Sequence, residues 1–285
     1  MHSIEGQMSN TASLTTPEPA IGRARTFKIR QIAIPVEHGG WSFLLEPLIA
    51  GTAIAFSVGG LWIALMTIGA FLCRQPLKVL IADRIGMKDA SRATAALVFL
   101  MTYASIFAIG ILGTLIASGS RPLLPCALVL PLVGYQIFND VSRRGRQLAP
   151  ELCGAVSLSA SIAAFAIAGG QTWAVAASLW TIFVLRSIPS ILYVRNRLLL
   201  EKGKEHSRIV PTIAHVFALF ITCTLVYFGL GPILTIFAML VLLGRSVTGL
   251  APGRKKLPAM QIGLLEIGYG AIIVVSVVAG HFLGL

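Results

Sequence analysis

Residues 93–117 read ATAALVFLMTYASIFAIGILGTLIA. A run of this length without a charge is long enough to cross a bilayer, because about 20 apolar residues in a helix span a hydrocarbon core of ~30 Å. In that medium a helix satisfies its own backbone hydrogen bonds, so the run is expected to be a transmembrane helix. Eight further apolar stretches surround it: Trp41 to Val58, Leu61 to Ile81, Leu123 to Phe138, Leu152 to Ala168, Trp173 to Leu192, Pro211 to Leu230, Ile233 to Gly249 and Ile262 to Leu283. The fold class expected is therefore all-α, a polytopic bundle of nine transmembrane helices. The start of the fourth, which carries Pro125 and Pro131, is the least defined boundary.

The charges between these stretches alternate. Of 23 Lys and Arg residues, 22 fall in the N-terminal segment or in the regions around the ends of helices 2, 4, 6 and 8; Arg121 alone falls on the other side. The positive-inside rule then places the N-terminus in the cytoplasm and the C-terminus outside. A hydrophobic content of 56% and a mean hydropathy of +0.83 agree with membrane embedding. The net charge of +12 is explained by orientation and anionic headgroups, because the basic residues flank apolar spans without interleaved exposed aromatics; nucleic acid is excluded as a partner. Two regions result: residues 1–32, read as a disordered basic cytoplasmic tail with no secretory h-region, and residues 33–285, the membrane domain. The four cysteines have no paired spacing and read as small apolar residues.

Polar residues at membrane depth carry the functional signal, since a charge at the bilayer centre costs about 2.5–3.5 kcal/mol on insertion scales. The first helix opens with Glu37, His38, Gly39, Gly40 and Trp41; His38, Ser42 and Glu46 recur every four residues and share a face. Glu46 should face the bundle interior and have a partner, and the paired glycines allow close approach of a helix or ligand. In helix 6, Arg186, Ser190, Tyr193 and Arg197 form one stripe, with Arg186 about two turns inside the apolar run. Tyr135 and Asn139 precede Arg143, Arg144 and Arg146, a set suited to phosphate or carboxylate. The segment after helix 2 holds Arg74 and Asp83; Asp83 is a weak prospect for Mg²⁺, and its neighbouring cation favours ion pairing, so no cofactor is expected. Glu266 and His215 are buried candidates for pairing with Arg186 or Arg245.

Three motifs carry a resemblance: Pro35 to Pro47, Phe71 to Leu77 with Asp83-Arg84, and Pro189 to Arg195. Across residues 33 to 285 the chain resembles the YwiC-like family of bacterial membrane proteins, for which no biochemical function is established. It is more distantly similar to the UbiA superfamily of intramembrane prenyltransferases in its nine helices and in the layout of Tyr135, Arg143-Arg144, Pro150-Glu151 and Leu152 to Gly154. That resemblance implies an intramembrane cavity opening to the cytoplasm. The departure is that the Asp-rich motifs holding Mg²⁺ in that superfamily are missing: Arg195, Asn196, Arg197 and Glu201 stand after helix 6.

The expected function is binding, or transferase-like chemistry, on a membrane lipid or isoprenoid-like molecule with an anionic head, in the bacterial inner (plasma) membrane. Arg74, Asp83, Tyr135, Asn139, Arg186, Tyr193, Arg195 and Arg197 are the expected binding residues. His38, Glu46, Glu37 and Trp41 are the expected catalytic or cavity polar residues, with His38 or Glu46 moving a proton. A small-solute carrier and a non-catalytic membrane scaffold are the alternatives, and oligomeric state stays open.

Overall fold

The computed structural model describes residues 29–35, 38–86, 90–142 and 144–284, leaving out the side chains of residues 38 and 83–86. Glu37 lies outside the described residues, and so do the side chains of His38 and Asp83. Every regular element among the described residues is helical. In chain order they are α1 (Ile29–Ala33), α2 (His38–Ile54), α3 (Val58–Gly86), α4 (Ala90–Ser118), a 3₁₀ turn (Arg121–Leu123), α5 (Leu124–Leu128), α6 (Leu130–Val141), α7 (Leu148–Ala168), α8 (Trp173–Glu201), α9 (Ile209–Tyr227), α10 (Leu234–Gly249) and α11 (Ala259–Leu283).

Six of these, α3, α4, α7, α8, α9 and α11, are long and apolar enough to cross a membrane. The other three expected spans fall short singly: α2 has 17 residues and α10 has 16, and the fourth is broken. The single helix expected over Leu123 to Phe138 is instead two segments, Arg121–Leu128 and Leu130–Val141, bent by 42°. Proline is the cause. Pro122, Pro125 and Pro131 each stand in the first two positions of a new element, where their missing N–H is tolerated, and none can continue the turn before it.

Two boundaries also move outward. The second span runs over the 29 residues Val58–Gly86 and not Leu61 to Ile81, with Arg74 inside the helix and not after it, and the sixth runs on to Glu201, so Arg195 and Arg197 occupy helical turns and not the loop expected of them. A helix of that length reaches about 43 Å, beyond the hydrocarbon core, and Arg and Lys are good helix formers that extend it into the polar zone. α1 falls in the stretch read as tail and buries Ile32, 1% exposed, in a small cluster with Val79, Leu80 and Ala96 of α3 and α4.

Helix α7 is the hub and packs against α2, α3, α6 and α8. Its segment from Ser159 to Ala166 is buried throughout and consists largely of Ala and Ser, which let neighbouring backbones come close. At Gly51 of α2 a Cβ would sit 2.7 Å from Cγ of Phe165, so only glycine admits the α7 ring. Outward-facing Val98, Met101, Leu112 and Ile116 of α4 are exposed, as expected of a helix bathed in lipid.

Candidate functional site

Helices α2 and α8 each divide their faces between two polar regions. Gly39, Gly40 and Phe43 of α2, Val194, Arg195 and Leu198 of α8, and Lys202 just past its end border a cavity of about 850 Å³. α3, α6 and α7 supply most of its remaining walls. The floor is apolar, with Met66, Phe107, Val129 and Leu158. Its hydroxyls are already committed: Thr67 Oγ1 donates to Ile63 O at 2.8 Å, Ser157 Oγ to Cys153 O at 2.7 Å and Ser161 Oγ to Leu158 O at 2.8 Å. The rim is basic. It carries Arg74, Arg146, Arg195 and Lys202, with Glu151 its one carboxylate among the described residues.

Two of the rim cations have acid partners. Arg74 grips Asp140 through Nε to Oδ2 (2.5 Å) and Nη2 to Oδ1 (3.0 Å), and Asp140 is buried. Arg195 Nη1 donates to Glu151 Oε2 at 2.7 Å and to Arg146 O at 3.0 Å. The Arg195 and Glu151 side chains are 36% and 42% exposed, so this pair is solvated and contributes little to stability.

The second region lies on the far faces of α2 and α8, toward α9, α10 and α11. Glu46 Oε1 accepts from Ser42 Oγ at 2.6 Å and from Arg186 Nη2 at 3.0 Å. Arg186 also donates to Glu266 O at 3.1 Å, and its Nη1 lies 3.8 Å from Glu266 Oε2. Glu266 is held by Arg245 Nη1, at 2.6 Å to Oε1 and 2.7 Å to Oε2. Arg245 Nη2 meets Ser190 Oγ at 3.1 Å and His215 Nε2 at 3.2 Å, and its guanidinium lies 4.4 Å from the Tyr193 ring centroid and 4.8 Å from that of Tyr269.

The His215 tautomer follows from its neighbours. Nδ1 is 2.7 Å from Pro211 O, which only accepts, while the guanidinium at Nε2 only donates. The imidazole is therefore neutral with its proton on Nδ1. Two carboxylates, two guanidiniums and a neutral imidazole leave the quartet Glu46–Arg186–Glu266–Arg245 without net charge, which is how buried charge becomes tolerable. The chain of α11 must approach closely for this, since a Cβ on Gly270 would overlap the Glu46 carboxylate.

The expected stripe of Arg186, Ser190, Tyr193 and Arg197 is buried along its whole length. Its members do different things. Arg186 belongs to the quartet, and Tyr193 lies against Arg245. Arg197 ties α8 to the end of α10 and to the α10–α11 connection by bonds to Gly249 O and Lys255 O (2.6 Å), and bonds Glu201 Oε1 on α8 itself (2.7 Å). Of the expected binding residues whose side chains are described, Arg74 and Arg195 alone border the cavity. Tyr135 is exposed, and Asn139 is buried with its amide donating to Tyr135 O at 2.9 Å; between them Gln136 and Ile137 face the cavity. Trp41 donates from Nε1 to Pro35 O at 3.2 Å and meets Phe71 edge-on at 5.0 Å, so it seats the start of α2. Asp140 was not among the expected residues; a lone acid amid arginines signals a counter-ion for a cation elsewhere.

An all-helical bundle with six helices fit to cross a bilayer, and with its deepest charges paired, is a polytopic integral membrane protein. Residues 34–167 match the model of the family described as YwiC-like protein, and over that stretch the chain is similar to that family. The matched stretch contains α2 to α6 and nearly all of α7, hence most of the cavity wall; α8 and the quartet members Arg186, Arg245 and Glu266 lie beyond it. No curated protein and no solved structure matches the chain.

Proposed function

We propose that this is a nine-span inner-membrane protein that binds an amphipathic molecule with an anionic head, the apolar part in the cavity and the head at its rim. The observation carrying this reading is the gradient of polarity in one chamber, from a floor with no hydroxyl to spare to a rim where Arg146, Arg195 and Lys202 face one carboxylate. Guanidinium and ammonium groups around a single acid suit an anion and repel Mg²⁺, so the proposal needs no metal. It favours binding over proton transfer by Glu46, whose carboxylate is engaged by Ser42 and Arg186. The carrier alternative, which predicts pH-dependent solute flux lost in Glu46→Gln, is disfavoured on the same ground.

The orientation proposed keeps the basic rim cytoplasmic, in accord with the distribution of Lys and Arg. Reporter fusions after Arg121 and after Gly170 should then report outside; a cytoplasmic signal at both defeats the nine-span topology. For binding, lipid co-purifying with the protein is identified and quantified by mass spectrometry. Arg195→Ala and Arg146→Ala should each lower its amount, by roughly tenfold where one charge-assisted contact is lost. Wild-type retention in both variants defeats the proposal.

A further inference from the structure

We infer that the cavity is entered sideways, from the bilayer, through a seam between the α3–α4 hairpin and the broken span α5–α6, so that its ligand is a membrane-resident amphiphile and not a solute arriving from water. This rests on the binding reading and adds the ligand's source.

The hairpin moves as a unit if it moves at all. At Gly69 a Cβ would come 2.7 Å from the backbone nitrogen of Phe107, and at Gly110 it would overlap the Met66 backbone, so α3 and α4 touch main chain to main chain. Against the rest of the bundle, α3 is sealed at its first turn and again at its middle. At its first turn, Gly60 admits the Phe165 ring of α7, with a Cβ there only 2.9 Å from Cδ1. About three turns on, the Phe71 ring lies against Gly40 and Trp41 of α2, and one turn further Arg74 holds Asp140 of α6. Between these seals the inward face of α3 presents Met66, Thr67 and Ala70 to the cavity.

The opposite bank is the proline break. The 42° bend after Val129 brings Cys126, Val129, Leu130 and Val133 to the cavity. Leu130 borders the cavity and is nevertheless 61% exposed, so at this point the chamber wall is also the outer surface of the bundle. Phe107 of α4, Cys126 and Val133, each half-buried, continue the seam. Such a bank has nothing to offer water. Lipid tails, by contrast, can replace apolar helix contacts at little cost, since no hydrophobic force holds helices together within the hydrocarbon. An acyl or isoprenoid-like chain can thus pass Leu130 while its head stays level with the rim.

Two experiments test this in liposomes. The first follows exchange of retained lipid for isotope-labelled lipid in Leu130→Trp, which adds a ring at an exposed position away from the rim cations. Exchange of the lipid that this variant retains should slow roughly tenfold, an effect on rate. The second keeps Cys126 as the sole cysteine (Cys73→Ala, Cys153→Ala, Cys223→Ala) and compares a maleimide on an acyl chain with a sulfonated, water-borne maleimide. The acyl reagent should react faster, and retained lipid should slow it. Wild-type exchange in Leu130→Trp, or faster labelling by the sulfonated reagent, overturns the lateral entrance. Wild-type protein holding no lipid at all overturns the binding reading, and the labelling comparison then decides the entrance alone.

Discussion

The quartet and the cavity rim share two helices and similar side chains, yet their cations are in different situations. Arg186 and Arg245 are buried, and their neighbours are carboxylates, hydroxyls, an imidazole and aromatic rings supplied by α2, α8, α9, α10 and α11. Arg195 is half in water with one solvated acid beside it, and Arg146 and Lys202 border an open chamber. The comparison teaches that depth alone does not mark a binding residue. Arg186 and Arg245, buried against carboxylates although Nε and Nη1 of Arg186 and Nε of Arg245 lack hydrogen-bond partners among the described residues, fix helices in place, whereas a partly solvated charge beside a cavity is available to a ligand.

This contrast breaks first at Arg245. Arg245→Leu leaves Glu266 a poorly compensated buried carboxylate and should destabilise the protein by about 3–5 kcal/mol, read as thermal unfolding in detergent; Arg245→Leu with Glu266→Leu should recover much of it. A silent single variant would mean that the quartet is not structural. Arg197→Ala removes bonds from a guanidinium to two carbonyls and an acid, with an expected loss of about 2–3 kcal/mol and lipid retention that falls only as far as folding does. Gly270→Ala forces α11 away from Glu46 and should cost about 1–3 kcal/mol in the same unfolding measurement. Arg195→Ala sharpens the comparison from the other side: less than about 1 kcal/mol of stability should be lost, while retained lipid falls. Equal stability losses in Arg195→Ala and Arg245→Leu would erase the distinction.

Much of the architecture was legible in the order of residues. The six long apolar helices lie where long apolar runs lie, and the four-residue spacing of Ser42 and Glu46 placed both on one face, where they bond. The inward stripe on α8 was equally readable from Arg186, Ser190, Tyr193 and Arg197. What each of these residues meets was not. Arg74 has the composition of an anion site, but Asp140, 66 positions away, occupies it. Arg197 has the same chemistry as Arg195 two residues earlier; one helical step of two positions turns it from the cavity to the α10–α11 connection.

The sequence by itself determined that the chain is a helical membrane protein, because the bilayer forces long apolar runs to satisfy their backbone internally and makes unpaired charge expensive at depth. Only the tertiary structure decided that Glu46 neutralises Arg186 across 140 residues, and that α2, α3, α6, α7 and α8 leave a chamber between them. The physical reason is range. Hydrogen-bonded ion pairs and side-chain packing act over a few ångströms between helices, and separation along the chain carries no record of such distances.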